Sequence, residues 1–319
     1  MAFVIEKGKL KKYIPEGEDE LIIPEGVKSI GANVFANCDN IRTVHFAETL
    51  TEIGQRSFAK CHNLETIELP PSVRRIANYA FYECSKLRSI SLPENMEKIG
   101  DSAFSNCKEL HNLVLPKQIG TIGKYAFFNC DGLATEDGYV IVNNKLYTYC
   151  GNKDILAVPD NVVYIEDKAF ESKIVNQTCI GEIREVRHVK KIILPETTKH
   201  LGEYAFAGCD MESVIALGIS LSSIKDPELK KKVFVGFMTN LEHFQNSEIV
   251  RANCEYIVSQ KKRYLPYFFE NDLVDGIRLI AEAGKIDMKE FDEAYLIPAQ
   301  NANAIQCCAY LMEWRSHCL

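Results

Sequence analysis

Cysteine recurs every 23 residues through the first half of the chain, at Cys38, Cys61, Cys84, Cys107 and Cys130. A phenylalanine lies three residues before each of them, at Phe35, Phe58, Phe81, Phe104 and Phe127. An isoleucine lies five residues before each phenylalanine, at Ile30, Ile53, Ile76, Ile99 and Ile122. A fixed period in this range is typical of a solenoid, in which coils stack and identical side chains form continuous columns.

One coil, Pro70 to Leu92, shows how the frame predicts structure. Ile90 and Leu92 alternate with serines, which is typical of a strand with one buried face. Val73 and Ile76 are expected in a second short extended segment on the opposite flank, with the phenylalanine and cysteine in the turn between. A single coil cannot bury these apolar side chains alone, so stacking is required.

The frame Pro-x-x-Val-x-x-Ile-Gly-x-x-Ala-Phe-x-x-Cys-x-x-Leu-x-x-Ile-x-Leu resembles the BspA-type leucine-rich repeats of gut and oral bacteria and some protists. Five consecutive coils between about Pro24 and Gly138 keep it, and Pro195 to Leu217 is another copy. Residues 159–170 begin a copy, but residues 171–189 lack the Phe-x-x-Cys continuation and predict an irregular coil or an excursion. The resemblance implies ligand binding, often adhesion to host or partner proteins.

Two segments predict β-hairpins that each precede a first coil. Residues 3–13 place a turn at Lys7-Gly8, and the similar residues 138–147 place one at Asn143-Asn144, where a positive φ is tolerated. The first hairpin is expected to cap the open end of the stack. The second is expected to interrupt the spine in mid-array.

Helical periodicity replaces the 23-residue frame after about Leu217. Asp226 and Pro227 suit the N-cap and first turn of a helix, and apolar spacing predicts further helices over 249–258, 264–270, 274–283, 288–297 and 302–315. The helix over 249–258 is expected to be capped by Asn246 or Ser247. Residues 273–280 align with 304–311 at a shift of 31, a rhythm similar to ankyrin-type repeats, although no Thr-Pro-Leu-His motif is present.

The predicted fold class is therefore α+β: a β-rich, right-handed leucine-rich-repeat solenoid of about seven to eight coils, one of them irregular, followed by an all-helical part of about three helix pairs. The predicted domains are a hairpin cap over 1–22, a solenoid over 23–217 with a hairpin insertion near 138–157, and a helical domain over 226–319. The helical part is expected to cover the last coil, because an open stack exposes apolar surface and strand edges.

Composition narrows the range of partners and compartments. The net charge is −7 and long basic tracts are absent from the sequence, which argues against nucleic acid. The sequence has no run of 18 apolar residues and begins without the charged and apolar regions of a secretory signal, so we expect no membrane span and a cytoplasmic location. The alternative is a secreted or cell-surface protein. Because six of the 12 cysteines occupy a repeat position, buried reduced thiols are expected rather than disulfides.

The sequence offers little that suggests catalysis, so we expect a non-enzymatic protein without cofactor or metal. Cys307, Cys308, His317 and Cys318 cluster near the end, but adjacent cysteines on a helix point about 100° apart and rarely face one metal. Core packing explains them better. An enzyme carried by the helical part remains a third alternative, which would require a polar pocket with perturbed ionisable groups.

The strand that follows each repeat cysteine should present two outward rows of side chains. The candidate binding residues in these rows are Thr43, Thr66, Ser89 and Asn112, and His45, Glu68, Ser91 and Val114. Lys191 and Ser213 could extend the first row, and Ile193 and Ile215 the second. A flat polar face suits a protein or peptide partner, although threonine and serine also favour exposed strand positions without any function. We therefore expect a protein-protein interaction scaffold, with an adhesin as the alternative.

Overall fold

The computed structural model describes residues 2–171, 174–178, 181–184, 189–244 and 247–318. The strands within these residues are β1 (Ala2–Glu6), β2 (Lys9–Ile14), β3 (Glu20–Ile22), β4 (Ser29–Ile30), β5 (Thr43–His45), β6 (Glu52–Ile53), β7 (Thr66–Glu68), β8 (Arg75–Ile76), β9 (Ser89–Ser91), β10 (Lys98–Ile99), β11 (Asn112–Val114), β12 (Thr121–Ile122), β13 (Tyr139–Val142), β14 (Lys145–Tyr149), β15 (Ile155–Ala157), β16 (Tyr164–Ile165), β17 (Ile174–Thr178), β18 (Gly181–Arg184), β19 (Lys191–Leu194), β20 (His200–Leu201) and β21 (Ser213–Ala216). The α-helices within them are α1 (Pro227–Thr239), α2 (Ser247–Ser259), α3 (Lys261–Glu270), α4 (Val274–Glu282), α5 (Ile297–Asn301) and α6 (Ile305–Cys318).

These elements confirm the predicted fold class, a β-solenoid of about eight turns followed by a helical region. The chain divides into two compact units. One comprises Met1–Lys153, Asn161–His188 and His200–Asp210, and the other comprises Asp154–Asp160, Val189–Lys199 and Met211–Leu319. The helices thus share a unit with β15, β19 and β21. The domain boundaries expected from the sequence, at 22, 217 and 226, stay predictions.

Two parallel ladders run through the five regular coils of the first unit. One sheet has the order β1-β2-β4-β6-β8-β10-β12, and the other has the order β11-β9-β7-β5-β3. The register places equivalent repeat positions opposite each other, as in the pairs Ile76 with Ile99 and Ile67 with Ile90. The repeat period therefore sets the pairing of every coil with the next.

The five repeat phenylalanines form a buried column, as the sequence predicted. Each is fully buried, and successive ring centroids lie 4.8, 5.4, 5.3 and 5.4 Å apart with nearly parallel planes. The backbone N–H of Phe35, Phe58, Phe81 and Phe104 also donates 2.8 Å hydrogen bonds to the next coil, to the carbonyls of Ser57, Ala80, Ala103 and Ala126 respectively. The turns of successive coils are thus joined by backbone hydrogen bonds, as the strands are.

The repeat cysteines add a second column with its own hydrogen bonds. The thiols of Cys61, Cys84, Cys107 and Cys130 donate to the carbonyl oxygen of the phenylalanine one coil earlier, at 3.0 to 3.2 Å. Burial raises the pKa of the Cys61 thiol to about 12 and that of Cys84 well above its ordinary value. The protonated thiol is the form that this position accommodates. Full reduction of all cysteines stays a prediction.

Both predicted hairpins are present and start new sheets. Lys7, Gly8, Asn143 and Asn144 all have positive φ angles between 50° and 76°, and β2 and β14 continue in parallel pairs with β4 and β16. The first hairpin caps its stack, because the Tyr13 ring packs 5.0 Å from the Phe35 ring.

The second hairpin divides the sheets, as expected, and the buried cluster of the regular coils reaches as far as Tyr147. The ring centroids of Tyr147 and Phe127 are 5.6 Å apart on one side of the hairpin. Those of Tyr149 and Phe170 are 5.9 Å apart on the other side. Both tyrosines are fully buried. This hairpin is therefore packed between Phe127 and Phe170.

The irregular segment contains a further hairpin, in which β17 pairs antiparallel with β18. It lies between Phe170 and the copy that begins at Pro195. The phenylalanine and cysteine columns still meet across it, since the Phe170 and Phe206 ring centroids are 5.1 Å apart and the Cys209 thiol donates to the Phe170 carbonyl at 2.9 Å. The excursion predicted from the missing motif is therefore an inserted hairpin.

In the second unit, helix α1 packs directly on strand β21 of the sheet β15-β19-β21. Gly236 permits the contact, because a Cβ atom there would lie 2.2 Å from the Val214 carbonyl oxygen. Leu229, Val233, Phe234 and Phe237 on α1 are buried. The last strand is thus covered by the first helix, as expected.

The first helix and the end of the fourth follow the predicted signals. The Asp226 carboxylate accepts hydrogen bonds from the N–H groups of Glu228 and Leu229, at 2.8 and 3.2 Å, and Pro227 opens α1. Gly284, with a φ of 65°, follows the end of α4. Helix α2 begins at Ser247, whereas Asn246, the other expected cap, lies outside the described residues.

The last two helices begin later than predicted, which corrects the expected ranges 288–297 and 302–315. A π-helical turn over Asp292–Leu296 runs into α5. Asn303 then takes a left-handed φ of 54°, which no α-helix accommodates. Helix α6 starts where the Asp272 carboxylate accepts hydrogen bonds from the N–H groups of Gln306 and Cys307, at 3.0 and 2.9 Å. This cap comes from a distant loop and leaves no local sequence signal.

Replacing Phe81 by alanine should lower the free energy of unfolding by roughly 3–5 kcal/mol, because the ring is fully buried between two stacked neighbours. Chemical denaturation of the full chain measures the change. Tyr204→Ala, at a position that is 59% exposed, is the matched control and should stay within about 0.5 kcal/mol of the parent. Equal losses in both variants would contradict the column.

Stability should fall as the pH rises above about 9. Burial raises the pKa of Cys61 to about 12 from an ordinary 9.0, and that of Tyr13 to about 12 from 10.0. The unfolded chain therefore releases protons between about pH 9 and 12 that the folded chain retains, so unfolding is favoured in this window and unaffected below it. Melting temperatures from pH 7 to 11 test this, and a midpoint independent of pH across that range would refute it.

Gly236→Ala should destabilise the protein by roughly 1–3 kcal/mol through overpacking against Val214. In a free helix the same change stabilises by about 1 kcal/mol, so the sign of the effect distinguishes a packed helix from a detached one. Lys231→Ala, on the exposed side of α1, is the control. Stabilisation by Gly236→Ala in a denaturation experiment would contradict the contact.

Candidate protein-binding face

The eight candidate binding residues lie together on one face of the sheet β11-β9-β7-β5-β3. Register pairs Thr43 with Thr66, Thr66 with Ser89 and Ser89 with Asn112 in the first row. In the same way it aligns His45, Glu68, Ser91 and Val114 in the second row. Thr43 and Ser89 are half-buried, and the other six are exposed. We refer to these two rows as the strand face.

Strand alternation determines which side chains reach this face. The central residue of each strand points into the core, and Val44, Ile67 and Ile90 are each 2% exposed. Its two neighbours must then point outward, because successive side chains of a strand point to opposite sides. Neighbouring strands lie about 4.8 Å apart, so hydroxyl and amide groups recur at that interval along the first row.

Beside the first row, charged side chains form a ladder of alternating sign. Arg42, Glu65 and Arg88 lie one residue before the row in their coils, and Glu109 lies three residues before Asn112. Arg42 lies 3.2 Å from Glu65, and Arg88 lies 3.9 Å from Glu65 and 3.2 Å from Glu109. Because the charges pair along the stack, this border carries little net charge. The adjoining rows can therefore interact with a partner mainly through hydrogen bonds and shape.

The structure extends both rows by one strand that the sequence reasoning missed. Register places Glu20 beside Thr43 and Ile22 beside His45. His45 Nε2 and Glu20 Oε1 are 2.6 Å apart, and Ile22 is 56% exposed. The available signal was the spacing, since Leu21 lies 23 residues before Val44. Exposed apolar side chains, Ile22 and Val114, thus stand at both ends of the second row.

The suggested extension of the rows to β19 and β21 is less exposed than the rows of the first unit, since Lys191, Ile193 and Ser213 are half-buried. Ile215 is fully buried, because α1 packs on β21, and Lys191 Nζ donates to Asn240 Oδ1 at 2.6 Å. The sequence carried the signal for this difference: the second row changes from polar residues to Ile193 and Ile215. The rows of the first unit are therefore the more accessible candidates for binding.

The cysteines and the histidine that cluster near the end of the sequence differ in burial. Cys307 is fully buried, while Cys308 is half-buried and His317 exposed. Within the described residues, no group of three or more His, Cys, Asp or Glu side chains is arranged to hold a metal ion. None of the described helices is long and apolar enough to cross a membrane.

A family model of the BspA-type leucine-rich repeat region, present in six copies, matches residues 18–134 and 140–255. This is well over half of the 319 residues, so the chain belongs to the family of BspA-type leucine-rich repeat proteins. No curated protein matches the sequence significantly.

Solved structures similar to this chain include several bacterial leucine-rich repeat proteins. One from Bacteroides ovatus is 20% identical, with 63% of this chain and 67% of that chain covered and a TM-score of 0.41. One from T. pallidum is 21% identical, with 75% and 88% covered and a TM-score of 0.40. A leucine rich cell surface protein from Faecalibacterium prausnitzii is 20% identical, with 68% and 75% covered and a TM-score of 0.37.

Proposed function

We propose that this protein is a non-enzymatic interaction scaffold that binds a protein or peptide on the strand face. The observation that carries the proposal is the alignment of two outward rows across five paired strands, with small polar groups at the centre and Ile22 and Val114 at the ends. Paired strands fix the backbone positions of these groups, and the short serine and threonine side chains have little rotamer freedom to lose when a partner docks.

The composition of the face favours a polar partner surface with apolar contacts at its ends. Hydroxyl and amide groups act as both donors and acceptors, and they can match the mixed hydrogen-bonding groups of a protein surface. The bordering ion pairs are exposed and contribute little to affinity by themselves. Nothing in this arrangement calls for a cofactor, and the proposal includes none.

Cell-surface or secreted adhesion is the second candidate function for the same face. Membership in the BspA-type repeat family favours it, and its partner would be a host or neighbouring-cell protein. An intracellular scaffold would use the same face for an intracellular protein partner. Fractionation of the native cell, with detection of the chain in surface, secreted and cytoplasmic fractions, distinguishes the two.

The variant Thr66→Lys, Glu68→Lys, Ser89→Glu and Ser91→Glu should abolish partner capture. Residues 66 and 89, and residues 68 and 91, are register partners, so each new charge faces an opposite charge. The changes at the exposed positions 66, 68 and 91 should each cost no more than about 0.5 kcal/mol, and the opposite charge at position 66 offsets the cost at the half-buried position 89. Affinity capture from native extract, followed by mass spectrometry, measures the loss, and thermal melting checks the fold.

The matched control is Glu52→Arg with Arg75→Glu, which exchanges charges between paired strands β6 and β8 of the other sheet. It should retain the captured partners. Capture that persists in the quadruple variant would place binding away from the strand face.

A further inference from the structure

A polar groove lies on the turn side of the first unit and is separate from the strand face. It has a volume of about 380 Å³ and is lined by Asn33, Ala36, Asn37, Arg56, Ala59, Lys60, Tyr79 and Tyr82. These residues come from three successive coils. The groove is too small to receive part of a folded protein. Its volume falls at the lower end of the range for pockets that hold small ligands.

The groove exists because the side chain at one repeat position is small in two coils and large in the next. Ala36 and Ala59 occupy the position that Tyr82 occupies in the following coil, so two coils with a low floor end against a tyrosine wall. Asn33, Asn37, Arg56, Lys60 and Tyr79 all have φ angles between 54° and 63°. This left-handed backbone recurs at the same two positions of each coil and places these side chains along the groove.

The groove carries two cations in a protein that is acidic overall. The Arg56 guanidinium lies 5.0 Å over the Tyr79 ring, and in the described part of the chain it makes no ion pair with a carboxylate. Lys60 Nζ lies 3.7 Å from Glu83 at a position where the side chain is 48% exposed. The stacked guanidinium is held in place while its N–H donors remain open to a ligand.

We propose that this turn groove binds a short acidic peptide segment through a side-chain carboxylate. Arginine matches a carboxylate with two parallel hydrogen bonds, and Lys60 adds a second positive charge four residues away on the same coil. The amides of Asn33 and Asn37 each offer donors and an acceptor, which suits the N–H and C=O groups of a peptide backbone. Tyr79 and Tyr82 supply the apolar walls.

The test uses a fluorescein-labelled peptide of alternating glutamate and alanine, with the glutamine counterpart as the neutral probe. Fluorescence polarisation with the full chain should show binding of the glutamate peptide, at least tenfold weaker binding of the glutamine peptide, and weaker binding at higher salt. Arg56→Asn and Lys60→Asn should each lower the affinity at least tenfold. Asparagine tolerates positive φ and stands at the equivalent positions Asn33 and Asn37, so both variants should fold.

Two further variants distinguish peptide binding in the groove from nonspecific electrostatic attraction to the protein. Ala59→Tyr keeps every charge but fills the floor with the residue that the next coil carries, and it should also abolish binding. Lys108→Gln with Lys117→Gln removes two exposed cations outside the groove and should leave affinity unchanged. Equal loss in this control, or full binding by Ala59→Tyr, would overturn the proposal. A tetragalacturonate probe that binds when the glutamate peptide does not would also overturn it, in favour of an acidic glycan.

Discussion

Stacking of identical side chains at a fixed period is the interaction on which the solenoid depends. The phenylalanine rings stack about 5 Å apart, which matches the separation of neighbouring strands in a sheet. One repeat length therefore satisfies ring packing and strand pairing together. The cysteine beside each ring is small enough to fit, and its thiol donates a hydrogen bond to the carbonyl oxygen of the phenylalanine in the preceding coil. Burial of that thiol favours its protonated form.

The candidate binding face is a consequence of this column rather than a separate construction. Once the central residue of each short strand faces the phenylalanines, its two neighbours must face outward, and parallel register aligns them from coil to coil. The turn groove has the same origin on another side of the coil. There, a repeat position that is free to vary changes from alanine to tyrosine. A periodic core thus leaves aperiodic surfaces available for recognition.

Departures from the period show how the fold adapts where the motif fails. At the second hairpin, Tyr147 packs against Phe127 and Tyr149 packs against Phe170, and both tyrosines are fully buried. In the first hairpin, Lys11 occupies the position of Tyr147 and is exposed. At the last strand, Ile215 of the outward row is fully buried, because helix α1 packs on that strand. Each departure keeps apolar surface buried without another regular coil.

The sequence by itself determined the repeat, the buried columns, the two hairpin turns and the outward direction of the eight strand-face residues. All of these follow from local spacing, which strand alternation and the fixed period convert directly into position. Only the tertiary structure decided the rest: that Ile215 is covered by α1, that Asp272 sets the start of α6, and that Ala36 and Ala59 form a groove floor. These outcomes depend on contacts between residues distant in sequence, because a cap, a covering helix or a cavity exists only where separate segments meet.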